Sequence, residues 1–189
     1  MIKITFNTVS GTYISAGVTC AASAKYIKED SGKKGVLQFT RKGYFGIYES
    51  TISLDGSADY FEADVKIAKD YTYDKVVFAK GTRIPFEIDF VKKGAGYTVN
   101  LSFNILDNND SKRVKTAVSS KTVKPDVWFN IKAFFFDDEL FILINNVIFI
   151  RRAFVGKIDL RANNMLYFAG PNSMGGFSMA NLALSTDIY

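Results

Sequence analysis

The sequence has no histidine, one cysteine, one tryptophan and three prolines among its 189 residues. Each shortage removes a class of chemistry. Without histidine there is no Ser-His-Asp triad and no Cys-His pair, and a histidine-based zinc site is excluded as well. Cys20, alone in the chain, can neither close an intrachain disulfide nor replace the absent zinc ligands, and reads as a small residue tucked near a strand. No apolar run approaches the roughly 18 residues of a membrane helix. The opening MIKITFNTVSG lacks the continuous apolar core and cleavage pattern of a signal peptide. The glycine-rich stretch from Gly170 to Gly176 lacks the Lys-Ser/Thr of a Walker loop.

Charge is also thin. Lysine and arginine exceed aspartate and glutamate by 24 to 19, a net of +5. The excess is spread over pairs beside turn signals: Lys33-Lys34, Arg41-Lys42, Lys92-Lys93, Lys112-Arg113 and Arg151-Arg152. Such pairs keep loops solvated and protect strand edges. Nucleic-acid binding would need concentrated charge and a recognisable motif, and neither is present.

What the chain does have is short alternating apolar segments. The stretch from Trp128 to Arg151, WFNIKAFFFDDELFILINNVIFIR, is the clearest. Alternate side chains of a strand face opposite ways, so Phe129, Ile131, Ala133 and Phe135 share one face and Trp128, Asn130, Lys132 and Phe134 the other. Leu140, Ile142 and Ile144 follow an acidic turn, and Asn145-Asn146 can form a tight turn because asparagine tolerates positive φ. Three antiparallel strands are expected here. Phe134, Phe135 and Phe136 cannot all point inward, so one of them needs cover from a second layer or a partner.

Upstream, Ile2–Phe6, Gly11–Ala16, Val36–Thr40 and Tyr44–Tyr48 read as strands, with a loop at Lys25–Lys34. From Tyr60 to Ala68, Phe61, Ala63, Val65 and Ile67 alternate with Glu62, Asp64 and Lys66. Val76–Ala79, Phe86–Val91, Tyr97–Ile105 and Val114–Val118 follow as strands. The tail adds Leu166–Ala169 and Phe177–Ser185, the latter with a bulge. About twelve to fourteen short strands, without a helical period, predict an all-β, two-sheet antiparallel jelly-roll sandwich forming a single domain over residues 1–189.

The segment from Val76 to the C-terminus resembles the concanavalin A-like jelly roll, and within it the laminin-G-like branch. The resemblance rests on Ala79-Lys80-Gly81 before FEIDF, then Trp128 followed by Ile131 and Ala133. Next come Leu140-x-Ile142-x-Ile144-Asn145-Asn146, LYFAG from Leu166 to Gly170, and GGFSMANLALS from Gly175 to Ser185. It implies two antiparallel sheets with ligands on a concave face or at rim loops, in a family of lectins, adhesion modules and glycosidases. Fold alone does not choose among these.

Some glycosidases of this fold carry Glu-x-Asp-x-x-Glu on one strand, placing two carboxyl groups about the sugar bond. Glu62-Ala63-Asp64 and Glu87-Ile88-Asp89 approach that pattern, but Ile67 and Lys92 stand at the second glutamate. A chain without catalysis is therefore expected. Sugar binding uses aromatic faces with planar polar groups to hold hydroxyls; the candidates are Tyr44, Tyr48, Tyr71, Tyr73 and Tyr97 with Asn108, Asn109 and Asn172. Laminin-G-like modules often bind calcium between rim loops, and Asp107 and Asp110 offer hard oxygen donors.

The expected role is binding or adhesion with a glycan or cell-surface ligand, as a decoration, tail or fibre component of a phage or other virion. Release by phage lysis would then replace a signal peptide. The alternative is an architectural subunit that binds only protein neighbours, copies of itself included. A glycoside hydrolase comes third. Neither nucleic acid nor membrane insertion is expected.

Overall fold

The computed structural model describes residues 1–4, 6, 11–15, 18–39, 44–48, 58–69, 75–80, 86–106, 112–158, 165–167 and 176–185. Among the described residues there are strands and no helix, so none is long and apolar enough to cross a membrane. Two antiparallel sheets share one core.

Sheet A contains β1 (Ile2–Ile4), β4 (Lys25–Asp30), β5 (Lys33–Phe39), β7 (Ala58–Ile67), β12 (Phe129–Phe136), β13 (Glu139–Ile144), β14 (Val147–Ala153) and β17 (Phe177–Ser185). Its order is β14-β13-β12-β7-β17-β5-β4, with β1 also on β17. Sheet B contains β2 (Gly11–Ser15), β3 (Val18–Ser23), β6 (Tyr44–Tyr48), β8 (Lys75–Lys80), β9 (Phe86–Lys93), β10 (Gly96–Leu106), β11 (Lys112–Val123), β15 (Lys157–Ile158) and β16 (Met165–Tyr167). Its order is β11-β10-β9-β8-β16-β6-β3-β2, with β15 also on β10. This is the two-sheet antiparallel sandwich expected from the sequence.

The core follows from strand alternation. Phe61, Val65, Ile131, Ala133, Phe135, Leu140 and Ile142 point inward from sheet A, and Phe86, Ile88, Phe90, Val99, Leu101 and Phe103 from sheet B. Phe135 meets Phe86 across the sandwich with ring centroids 4.9 Å apart. Phe129 meets Phe90 at 5.4 Å. The three-strand meander from Phe129 to Ala153 forms as its alternation predicts. Asn145 and Asn146 turn it with φ of 49° and 64°. Of the three consecutive phenylalanines, Phe135 is buried, while Phe134 and Phe136 lie half-buried on the outward face.

The loop expected at Lys25–Lys34 is instead a hairpin. β4 and β5 pair through Glu29 opposite Lys34 and Asp30 opposite Lys33. The turn is Ser31-Gly32, both at positive φ. Its polarity belongs to an edge: β4 ends the sheet, and Lys25, Lys28, Glu29 and Asp30 guard the edge against unwanted pairing. β11 is also longer than the sequence indicated, running to Val123.

Gly35 fixes how the N-terminal segment crosses β5. Its φ is +60°, and a Cβ there would lie 2.5 Å from the carbonyl oxygen of Phe6. Gly35→Ala is expected to cost about 2 kcal/mol or more, because a strained left-handed residue alone costs about 1–3 kcal/mol. Urea unfolding checks this, and an unchanged midpoint would contradict the close approach.

Candidate functional site

The side chains that line up best for recognition lie on the outward face of sheet A. Antiparallel register puts residues of neighbouring strands directly opposite one another. Tyr60 faces Phe134, Glu62 faces Lys132, and Asp64 faces Asn130 across β7 and β12. Phe134 then faces Phe141, and Lys132 faces Leu143. Phe141 faces Arg151. Two parallel rows therefore cross the strands. One is aromatic: Arg151, Phe141, Phe134, Tyr60. The other is mixed: Leu143, Lys132, Glu62, and then Ala183 on β17.

The aromatic row is in ring contact. Tyr60 and Phe134 have centroids 4.8 Å apart. The Arg151 guanidinium lies 5.3 Å from the centre of Phe141 and donates from Nε to Glu139 at 2.5 Å. Phe136 meets Phe141 edge-on at 5.9 Å. Phe134, Phe136 and Phe141 stay half-buried, unlike the inward phenylalanines of the same strands.

Beside this row lies a polar lattice centred on Asp64, which is only 6% exposed. Its Oδ2 accepts from Lys33 Nζ at 2.8 Å and from Asn181 Nδ2 at 2.7 Å. Asn130 Nδ2 donates to Asp64 Oδ1 at 3.2 Å and to Glu62 Oε1 at 2.8 Å. Lys132 Nζ lies 3.7 Å from the same Glu62 oxygen, and the Tyr60 hydroxyl donates to the other. Burial, reinforced by Glu62, raises the Tyr60 phenol well above its ordinary range, so it stays a donor. Asn130 is itself anchored: its backbone N–H donates to Asn145 Oδ1 at 2.8 Å, and the Asn145 N–H returns to its carbonyl at 2.9 Å.

Asn181 reaches the lattice because β17 shifts register between Ala180 and Ala183 and gives Asn181 a φ of 52°. Bulges of this kind re-aim side chains. Lys3, Ile4, Glu62, Asn181, Leu182 and Ala183 border a groove of about 280 Å³ next to it.

At the other end, Trp128 Nε1 donates to the Asp30 carbonyl at 3.1 Å, and Lys66 Nζ lies 5.3 Å from the Trp128 ring centre. Lys66 also pairs with the Asp30 carboxylate. That hydrogen bond holds the Asp30 carboxyl below its usual 3.8. A depressed carboxyl stabilises the fold above the unfolded-state value and loses that contribution as pH falls through the folded-state one. Trp128 emission should therefore shift below about pH 4, ahead of global unfolding, and Asp30→Asn should remove the shift. An emission change centred above pH 5 would contradict this assignment.

The residues nominated from sequence fall elsewhere. Tyr44 and Tyr48 open and close β6 in sheet B, with Tyr48 half-buried. Tyr97, a candidate for sugar stacking, lies in β10 as its strand reading predicts, but it is 1% exposed, and its hydroxyl donates to the Ala68 carbonyl at 3.1 Å. Its ring belongs to the core, because its alternation phase matches Val99 and Leu101, and it offers no face to a ligand. Tyr71, Tyr73, Asn108, Asn109, Asn172, and the calcium candidates Asp107 and Asp110, lie outside the described residues. Among the described residues no cluster of three or more acidic, histidine or cysteine side chains is placed to hold a metal. Glu87 and Asp89 sit in β9 of sheet B, so the two Glu-x-Asp pairs are on different sheets. Glu62 and Asp64 were identified in the sequence. Asn130, Lys132, Asn181, Lys33, Phe134 and Phe141 join them only through register.

No protein-family model and no curated protein matches the sequence. Solved structures do match in fold. The receptor binding domain of botulinum neurotoxin mosaic serotype C/D superposes with TM-score 0.67 at 7% identity, over 100% of this chain and 47% of that one. A Trypanosoma rangeli sialidase, solved with 2,3-difluorosialic acid, gives 0.69 at 8% identity, over 100% of this chain and 30% of that one. A polysaccharide lyase of family 18 gives 0.57 at 11% identity, over 88% and 93%. The chain thus spans about half of the toxin domain and less than a third of the sialidase. At these identities the likeness establishes a β-sandwich fold and no more.

Proposed function

We propose that the chain is a non-catalytic, lectin-like binding module of the laminin-G-like branch, with a glycan as its ligand on the outward face of sheet A. The observation that carries this reading is the register that sets an aromatic row directly beside an amide, carboxylate and ammonium lattice. Sugar rings present apolar faces and hydroxyl rims, and the two rows offer the matching surfaces. Fold neighbours that include a receptor binding domain, a sialidase and a polysaccharide lyase are in keeping with it. The engagement of every Glu62 and Asp64 oxygen by a neighbouring donor favours binding over acid–base work. A basic chain with one cysteine suits a decoration, tail or fibre component of a phage or other virion.

A glycan array tests this reading. Wild-type chain should give reproducible signal. Asn181→Gly, which keeps the backbone conformation and removes the amide, should weaken it about tenfold, the loss of one well-placed contact of about 1.4 kcal/mol. A silent array would sink the glycan reading.

The alternative, an architectural subunit, has its own support. Val118, Val127, Val147 and Ile148 are 62%, 51%, 49% and 47% exposed along β11, β14 and the link before β12. A cleft of about 300 Å³, bordered by Val123, Phe129, Ile144 and Phe149, opens among them. Contiguous exposed apolar surface marks contact sites. Light scattering that shows a salt-resistant oligomer, dispersed by Val147→Asp, would favour this reading.

A further inference from the structure

The same face carries a charge pattern that narrows the ligand class, an inference that rests on the glycan reading above. Between β14 and β5, among the described residues, the outward face presents the paired cations Arg151, Lys132, Lys66 and Lys33. Each has a carboxylate partner: Glu139, Glu62, Asp30 and Asp64 in turn. The pairs run across the whole face, from one edge of the rows to the other. A site built for sialic acid, a uronate or a sulfated sugar needs a cation or a cluster of amides free to meet the anion. Here each of these cations already has a carboxylate beside it, which offsets the attraction an incoming anion would feel. Lys3, exposed on β1 opposite Ala183, continues the mixed row at the margin of the groove and is a further cation, two strands away from Glu62 and off the aromatic row.

The rows also have a direction. They run perpendicular to the strands, and neighbouring strands are about 4.8 Å apart. The accessible part of the row, Arg151, Phe141 and Phe134, crosses β14, β13 and β12, a span of about 10 Å over two such spacings. A single sugar ring would cover one of the phenylalanines; a short linear chain would cover them all.

We propose that the ligand of this face is a neutral, linear oligosaccharide lying across the strands along Phe141 and Phe134, up to the buried Tyr60 that closes the row on β7. Neutral hydroxyls then meet the edges of ion pairs as both donors and acceptors. Binding draws on stacking and hydrogen bonds rather than on net charge, so salt has little leverage.

The test uses the full chain and calorimetric or fluorescence titration with defined sugars. The neutral probes are gluco-, galacto- and manno-oligosaccharides of one to six units. The acidic probes are sialyllactose, oligogalacturonate and oligoalginate. The expected result is binding to a neutral series, with affinity rising to about two or three units and then levelling, as the strand spacing predicts. That affinity should change less than about twofold between low and high salt. Glu62→Gln, which keeps the side-chain shape and removes the charge beside Lys132, should add salt-sensitive binding of oligogalacturonate. Preference of the wild type for acidic probes, or full affinity for a monosaccharide, would overturn this inference and leave the glycan reading standing. Silence with every probe would overturn both.

Discussion

Phe135→Ala should be among the most damaging truncations of the described core, at about 3–5 kcal/mol. Phe135 is fully buried, 4.9 Å from Phe86 across the sandwich and 6.5 Å from Phe61 beside it. A cavity at that point would open both sheets' inner faces. The neighbouring Phe136→Ala, on the half-buried outward face, should cost about 1 kcal/mol, the typical value for a partly exposed change. The contrast matters more than either number. A one-residue slip of β12 would exchange its faces entirely and would send Phe134, Lys132 and Asn130 into the core. Urea unfolding of the two variants therefore tests the register on which the binding face depends. Equal costs, or a greater one at Phe136, would contradict it.

The second large effect concerns recognition. Phe134→Ala combined with Phe141→Ala should lower affinity for an array-positive glycan by about 30–100-fold, the size of loss seen when central aromatic anchors are removed. Their rings keep solvent access while lying directly opposite each other on adjacent strands. Part of the row would be gone, but the Asp64 lattice would remain intact, because neither phenylalanine contributes to it. Unfolding midpoints should fall only modestly. An unchanged affinity would move the binding site off this face.

The sequence showed individual strand faces well and relations between distant strands poorly. The alternation from Phe61 to Ile67, the meander and its Asn-Asn turn are all local patterns, and each appears as expected. The hairpin at Lys25–Lys34 was missed because an edge strand needs no apolar face, so its charged sequence resembles a loop. Tyrosines chosen by residue type could not be sorted without burial, and Tyr97 proved to be core. The polar half of the outward face was visible in pieces: Glu62 and Asp64 on one strand, Asn130 and Lys132 on another. Nothing in local periodicity states that Asp64 faces Asn130, 66 residues away. Asn181 depended on a bulge whose existence was legible and whose direction was not.

The most direct measurement is NMR titration with a glycan taken from the array, followed through side-chain signals. Trp128 gives the single indole N–H of the chain, and Asn130 and Asn181 give amide pairs within the lattice. The account predicts saturable shifts at Asn130 and Asn181, weaker ones at Trp128, and still spectra for the outward residues of sheet B. Shifts confined to sheet B or to residues 107–110, with Asn130 and Asn181 unmoved, would contradict the assignment of the binding face.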